Sequence, residues 1–281
     1  MLIKKGGARR PFFCVHGAGG NLLNFRDFSE RLSPEQPVYG LEARGVDGQL
    51  PPADTIEEMA ELYLEGVRKQ QPNGPYLLGG YSGGGVVALE MAQRLIAAGE
   101  QINEVVLLDT FYPGTSGREV SLRDHFDGII GEGLPYLRRH VNATIERHFV
   151  WARQDRRLRS LLARGEAVPH ELREWHLATS FLNALKKYVP APYAGRVTLF
   201  RAQEVARAYD HVGPRLGWSE AVLPNLGVFE VPGGHDSLVR EPNVRVLASG
   251  LEGVLRRDGG KVSDGNVTVN ETQDRKVTVG V

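Results

Sequence analysis

Ser82 stands inside the pentapeptide Gly80-Tyr81-Ser82-Gly83-Gly84, and the chain changes character across it. The run before it, Tyr76-Leu77-Leu78-Gly79, is apolar in the manner of a buried strand. The run after it, Val86-Val87-Ala88-Leu89-Glu90-Met91-Ala92, has a helical pattern. A strand, a G-x-S-x-G turn and a helix in that order make a nucleophile elbow, a turn sharp enough to hold the serine in a strained backbone conformation. Gly80 and Gly84 are expected to leave room where strand and helix nearly touch. The chemistry this offers is attack of a serine hydroxyl on a carbonyl carbon.

A serine hydroxyl is a weak nucleophile near neutral pH, so it needs a base, and the base needs a third group to hold its tautomer. After an elbow serine the acid and then the histidine follow along the chain. Of the eight histidines, His16 precedes Ser82 and breaks that order, and His211 sits in a loop. His125, His140, His148, His170 and His176 occupy a polar helical stretch and read as surface or structural residues. His235 follows a strand through Pro232-Gly233-Gly234 and precedes a helix, which places it at the carboxyl edge of a parallel sheet. It is the expected base. For the acid, Glu204 and Asp210 lie near the strand after that helical stretch, and Asp109 ends the strand after the elbow helix. All three remain open on position alone. Asp236 adjoins the base and is poorly placed to bond its ring. The oxyanion donors are expected to be the backbone N–H of Gly83 and that of Ala18, in the loop His16-Gly17-Ala18-Gly19-Gly20. That loop lacks the third glycine of a dinucleotide fingerprint and the lysine of a phosphate-binding loop.

The elements around these residues alternate. Leu2-Ile3-Lys4, Gly6-Gly7 and Pro11 to His16 read as a strand, a hairpin turn and a second strand. A helix through Phe25, Phe28 and Leu32 follows, then a strand from Val38 to Leu41. Thr55-Ile56-Glu57-Glu58 is a capping box opening a helix with Met59, Leu62, Tyr63 and Val67 on one face. After the elbow, Val105 to Leu108 is a strand ending at Asp109. This alternation implies an α/β protein with a mainly parallel central sheet flanked by helices. The rhythm breaks over about 114–190, which is polar, helical and rich in arginine, and resumes at Arg196–Phe200 and Val228–Val231, before a last helix from about Pro242 to Arg257. The break reads as a helical lid insertion over the site. Residues 1–257 are taken as one domain. Residues 258–281 read as a disordered or extended tail, in which Val267-Thr268-Val269 and Val277-Thr278-Val279 alternate like strand residues.

Composition narrows the class. The 281 residues hold 34 Lys plus Arg against 34 Asp plus Glu, which gives no global charge for nucleic acid or an anionic membrane. No apolar run reaches the roughly 18 residues of a membrane helix, and the first residues lack a signal-peptide core. The single cysteine, Cys14, lies in an apolar strand and reads as a small buried residue. A cytoplasmic enzyme is expected, with no metal.

Three stretches together resemble the thioesterase domains of nonribosomal peptide and polyketide synthases. They are Phe12 to Gly20, Tyr39-Gly40-Leu41-Glu42-Ala43-Arg44-Gly45, and Gly74 to Gly84. Pro232-Gly233-Gly234-His235 is similar to that family's histidine loop, and Gly217-Trp218-Ser219 is typical of it. The resemblance covers about residues 1–257 and implies an α/β-hydrolase fold. Synthase-integrated members carry the acid where Val106-Leu107-Leu108-Asp109 falls, which favours Asp109, whereas free-standing editing members place it nearer Glu204 or Asp210. The resemblance implies a serine thioesterase that takes an acyl, polyketide or peptidyl chain from carrier-protein phosphopantetheine onto Ser82 and releases it by hydrolysis or cyclisation. No cofactor beyond that arm is implied, and the partner is an acyl or peptidyl carrier protein or domain. Acidic carriers of this kind would give Arg138, Arg139, Arg156, Arg157 and Arg159 a steering role, set against their reading as solvated helix faces. The competing readings are a carboxylesterase or lipase, an editing thioesterase, and a non-catalytic carrier-binding module. The oligomeric state is left open.

Overall fold

The computed structural model describes residues 1–115, 117 and 150–257. Seven strands form one sheet: β1 (Leu2–Lys4), β2 (Phe12–Val15), β3 (Val38–Leu41), β4 (Tyr76–Tyr81), β5 (Ile102–Leu108), β6 (Val197–Glu204) and β7 (Leu226–Gly234). Their spatial order is β1-β3-β2-β4-β5-β6-β7. β1 is antiparallel to β3, and every other pairing is parallel. The six described helices are α1 (Phe25–Arg31), α2 (Ile56–Gln70), α3 (Gly84–Ala97), α4 (Ala152–Ala163), α5 (His170–Lys187) and α6 (Val244–Leu255).

Strand residues alternate between two cores, as a period of two requires. Phe13, Val15, Leu78, Val105 and Leu107 face one core with α2, α3 and α5 residues such as Val67, Leu89 and Phe181. Phe12, Cys14, Leu77, Val106 and Leu108 face the other with Phe25 and Phe28 of α1 and Leu247 and Leu251 of α6. The strands therefore read as continuous apolar runs because both faces are covered. Cys14 is buried and unpaired, and burial raises its thiol pKa well above the ordinary value, so it is an apolar filler.

The expected hairpin between β1 and β2 does not form. β2 is occupied on both edges by parallel neighbours, β3 and β4, so β1 pairs with the outer edge of β3 instead. The turn glycines meet the segment leading into β3, where the Gly7 N–H donates to Glu35 O at 3.1 Å. The capping box also differs in one partner. Thr55 Oγ1 accepts from the Glu58 N–H at 3.1 Å, but the Glu58 carboxylate takes the N–H of Asp54, one residue before the cap.

Candidate active site

The site lies at the carboxyl ends of β2, β4, β5 and β7, the edge where parallel α/β sheets gather their loops. Ser82 follows β4 with a φ of 56°, a left-handed conformation costing about 1–3 kcal/mol for a non-glycine residue. Its N–H donates to Leu108 O at 2.8 Å, which ties the turn to the end of β5. A Cβ on Gly80 would lie 2.2 Å from the carbonyl carbon and oxygen of Gly84, so the strand can approach the helix start only without one. Gly84, the first residue of α3, makes room for a different strand. Its Cβ would meet the carbonyl oxygens of His16 and Val15 at 2.2 and 2.6 Å, so it makes room for the end of β2.

His235 follows β7 and joins the two other groups. Its Nε2 lies 3.0 Å from Ser82 Oγ and its Nδ1 lies 2.7 Å from Asp109 Oδ2. Asp109 is 3% exposed, with its own positive φ of 49°. Its second oxygen, Oδ1, accepts the Ala202 N–H at 2.7 Å, and its own N–H donates to Phe200 O at 2.7 Å. Two bonds to β6 thus fix a carboxylate carried by β5. Both ring nitrogens of His235 are engaged by Asp109 and Ser82, and neither of the other two candidate acids is among its partners. Glu204 ends β6, exposed, with its register partner Gly234 beside it. Asp210 sits exposed in a short 3-10 helix, Arg207–Val212, with His211 Nδ1 4.0 Å away.

The two expected oxyanion donors lie on different elements. Gly83 is the N-cap residue of α3, and Ala18 belongs to the loop after β2. Among the described residues, neither N–H donates to a protein acceptor, so both are available to an oxyanion. A Cβ on Gly83 would lie 2.4 Å from Phe181 Cε1 and 2.5 Å from Leu185 Cδ1, so helix α5 rests directly over the elbow.

Two further residues support this site. Tyr81, immediately before Ser82, stacks on the His235 ring with centroids 5.1 Å apart, and its hydroxyl donates to His235 O at 2.9 Å. Trp218 donates its indole N–H to Thr110 O at 2.9 Å, bracing the residue after Asp109. Trp218 stood out only through the resemblance. Tyr81 was visible as the aromatic at the elbow's second position.

The remaining histidines divide simply. His170 and His176 lie on α5, while His125, His140 and His148 lie outside the described residues. So do Arg138 and Arg139 and the tail 258–281. On α4, Arg157 pairs with Glu171 at 2.9 Å, Arg159 pairs with Asp155, and Arg156 Nε donates to Ala152 O. Among the described residues no group of three His, Cys, Asp or Glu could hold a metal ion. No described helix is long and apolar enough to cross a membrane.

The sheet order, the elbow and the Ser82–His235–Asp109 contacts are those of an α/β-hydrolase. The sequence model of the thioesterase domain family matches residues 10–191, more than half of the chain, and the chain belongs to that family. It is 28% identical over 265 residues to a dimodular nonribosomal peptide synthase of Bacillus subtilis (strain 168), covering 90% of this chain and 11% of that protein. It is 44% identical over 108 residues to malpibaldin synthetase of Mortierella alpina, covering 38% of this chain and 2% of that protein. The chain therefore spans only a small part of these curated relatives. Among solved structures, the NocB thioesterase domain in covalent complex with a fluorophosphonate nocardicin G analog superposes with a TM-score of 0.63 at 26% identity. That match covers 88% of this chain and 96% of the other.

Proposed function

We propose that this thioesterase releases an acyl or peptidyl chain from the phosphopantetheine thioester of a carrier protein or carrier domain, through an ester on Ser82. The observation that carries the reading is the continuous contact from Ser82 Oγ through both His235 nitrogens to Asp109. Asp109 Oδ2 accepts the Nδ1 proton of His235, which leaves Nε2 bare and facing Ser82 Oγ. As Oγ attacks the thioester carbonyl, Nε2 takes its proton, and the developing imidazolium is held by the Asp109 carboxylate. The tetrahedral oxygen receives the Ala18 and Gly83 N–H groups; loss of one such donor costs about 3–4 kcal/mol. Collapse breaks the C–S bond, and the proton on Nε2 passes to the departing sulfur. Water, or a hydroxyl or amine of the chain itself, then loses a proton to Nε2 and attacks the ester, and Ser82 recovers its proton.

The acid on β5 is the arrangement that the resemblance associates with synthase-integrated members rather than editing ones. The similarity to synthetases that are many times longer supports a carrier partner. Helices α4 and α5, between β5 and β6, are read as part of a lid over about 114–190, with residues 1–257 as the catalytic domain. The contact of Phe181 and Leu185 with Gly83 supports this.

The test is single-turnover release from an acyl-loaded carrier protein. Wild type frees the chain, and Ser82→Ala leaves it on the carrier. Equal release by both proteins rejects the reading. Measured against matched oxygen esters, the thioester is expected to react with the higher kcat/KM.

A further inference from the structure

His16 takes no part in the proton transfers above, yet it is 1% exposed and sits at the edge of the site. Its Nδ1 lies 2.5 Å from Gly17 O and its Nε2 lies 2.6 Å from the Tyr63 hydroxyl. A carbonyl oxygen can only accept, so Nδ1 must carry the proton. Nε2 is then bare and can only accept, and the Tyr63 hydroxyl is its donor. Burial keeps the ring neutral, holding its pKa down to about 4. Burial also raises the Tyr63 pKa, which keeps that hydroxyl protonated.

The carbonyl that His16 holds belongs to the Gly17–Ala18 peptide, whose N–H is Ala18's. A trans peptide is planar, so its C=O and N–H point in opposite directions. Gly17 O also accepts the Gly20 N–H at 3.0 Å. Two donors therefore fix one end of the peptide plane, and the Ala18 N–H is aimed away from them without a protein acceptor among the described residues. The loop is seated against the elbow. A Cβ on Gly17 would lie 3.0 Å from the Tyr81 ring, and His16 O is the atom that Gly84 makes room for.

We propose that Tyr63 and His16 form a clamp that sets the orientation of the oxyanion donor Ala18 N–H, with Tyr63 holding the His16 ring in place through Nε2 and His16 fixing the Gly17–Ala18 peptide. Both are positioning residues, since neither touches the reacting atoms. The inference rests on the reading of Ser82 as nucleophile and Ala18 as oxyanion donor. Without the Tyr63 hydroxyl, Nε2 is a buried acceptor with no donor, and the bond that holds the far side of the ring is lost. The ring can then tilt away from the Gly17 carbonyl, and the peptide plane loses part of its anchor. Misplacement of a reacting group by about 1 Å can cost 100-fold in rate, so a loosened donor is expected to cost roughly tenfold or more.

The test uses the full chain and a small alkyl fluorophosphonate, whose phosphoryl oxygen occupies the oxyanion position whatever the natural substrate. Tyr63→Phe is expected to lower the maximal rate of Ser82 phosphonylation about tenfold, with the inhibitor's half-saturation concentration unchanged. Nitrogen-15 NMR of labelled histidine should show His16 as the Nδ1–H tautomer in wild type, as the bond to the Gly17 carbonyl requires. Wild-type labelling at an unchanged rate in Tyr63→Phe overturns the clamp, and so does an Nε2–H tautomer in the wild-type protein, which needs no variant to fold. A wild type that is never labelled at Ser82 fails the underlying reading instead.

Discussion

The ring of His235 lies nearly parallel to that of Tyr81, 5.1 Å away and 21° off plane, and the Tyr81 hydroxyl donates to the backbone carbonyl of His235 at 2.9 Å. The residue that precedes the nucleophile thus holds the base twice, once through its ring and once through its main chain. Tyr81→Phe removes only the hydrogen bond, worth about 1 kcal/mol, and is expected to lower kcat several-fold. Tyr81→Leu removes the stack as well and should cost more. Steady-state kinetics on both variants check the order, and a Tyr81→Phe loss larger than that of Tyr81→Leu would reject the two-part account.

Asp109→Asn keeps the shape but makes Oδ2 or its replacement a potential donor to His235 Nδ1, which promotes the wrong tautomer. A loss of about 10⁴ in kcat is expected, by analogy with the serine-protease triad. Glu204→Gln and Asp210→Asn should each leave more than half the activity, because both His235 nitrogens are already engaged elsewhere. If Glu204→Gln or Asp210→Asn proved as damaging as Asp109→Asn, the assignment of the acid would be wrong.

The elbow glycines predict different kinds of damage. At Gly80 an added methyl meets the backbone of Gly84 and Gly85 within 2.5 Å, and backbone there cannot give way. Gly80→Ala should therefore cost about 3 kcal/mol of stability. At Gly83 the methyl meets the side chains of Phe181 and Leu185, which can move. Gly83→Ala should shift helix α5 and depress activity while costing less stability. Chemical denaturation alongside kinetics separates the two effects.

Buried His16 also makes stability depend on pH. Its pKa is held down to about 4 by burial, against an ordinary value of 6.5. Between those values the unfolded chain binds a proton at this position and the folded chain does not, so the contribution is complete above about pH 6.5 and is lost as the pH falls toward 4. The amount is about 3 kcal/mol. Urea denaturation of wild type and His16→Gln at pH 7.5 and 4.5 should show a smaller loss in the variant, and equal losses would contradict it.

The sequence made the elbow legible because its glycines answer to local crowding that a short pattern records. The parallel strands were legible because burial on both faces leaves unbroken apolar runs. The acid was not legible from position, since the sheet's carboxyl edge offered Asp109, Glu204 and Asp210. What separates them is the contact of Asp109 Oδ2 with His235 Nδ1, with Asp109 held by two bonds to β6 that no local pattern encodes. The β1–β2 hairpin failed for a related reason. Gly6-Gly7 permits a tight turn, but the neighbours of β2 are chosen by the whole sheet. His16 breaks the expected chain order of a base, and no local pattern records its burial or the partner on each of its ring nitrogens.

The most direct test of the central claim is mass spectrometry of the intact protein after brief exposure to an acyl-loaded carrier. The account predicts an increase equal to the acyl group, mapped by proteolysis to the peptide containing Ser82, and no such increase in Ser82→Ala. Release of the chain with the acyl group never on Ser82, or an equal adduct on Ser82→Ala, would contradict it.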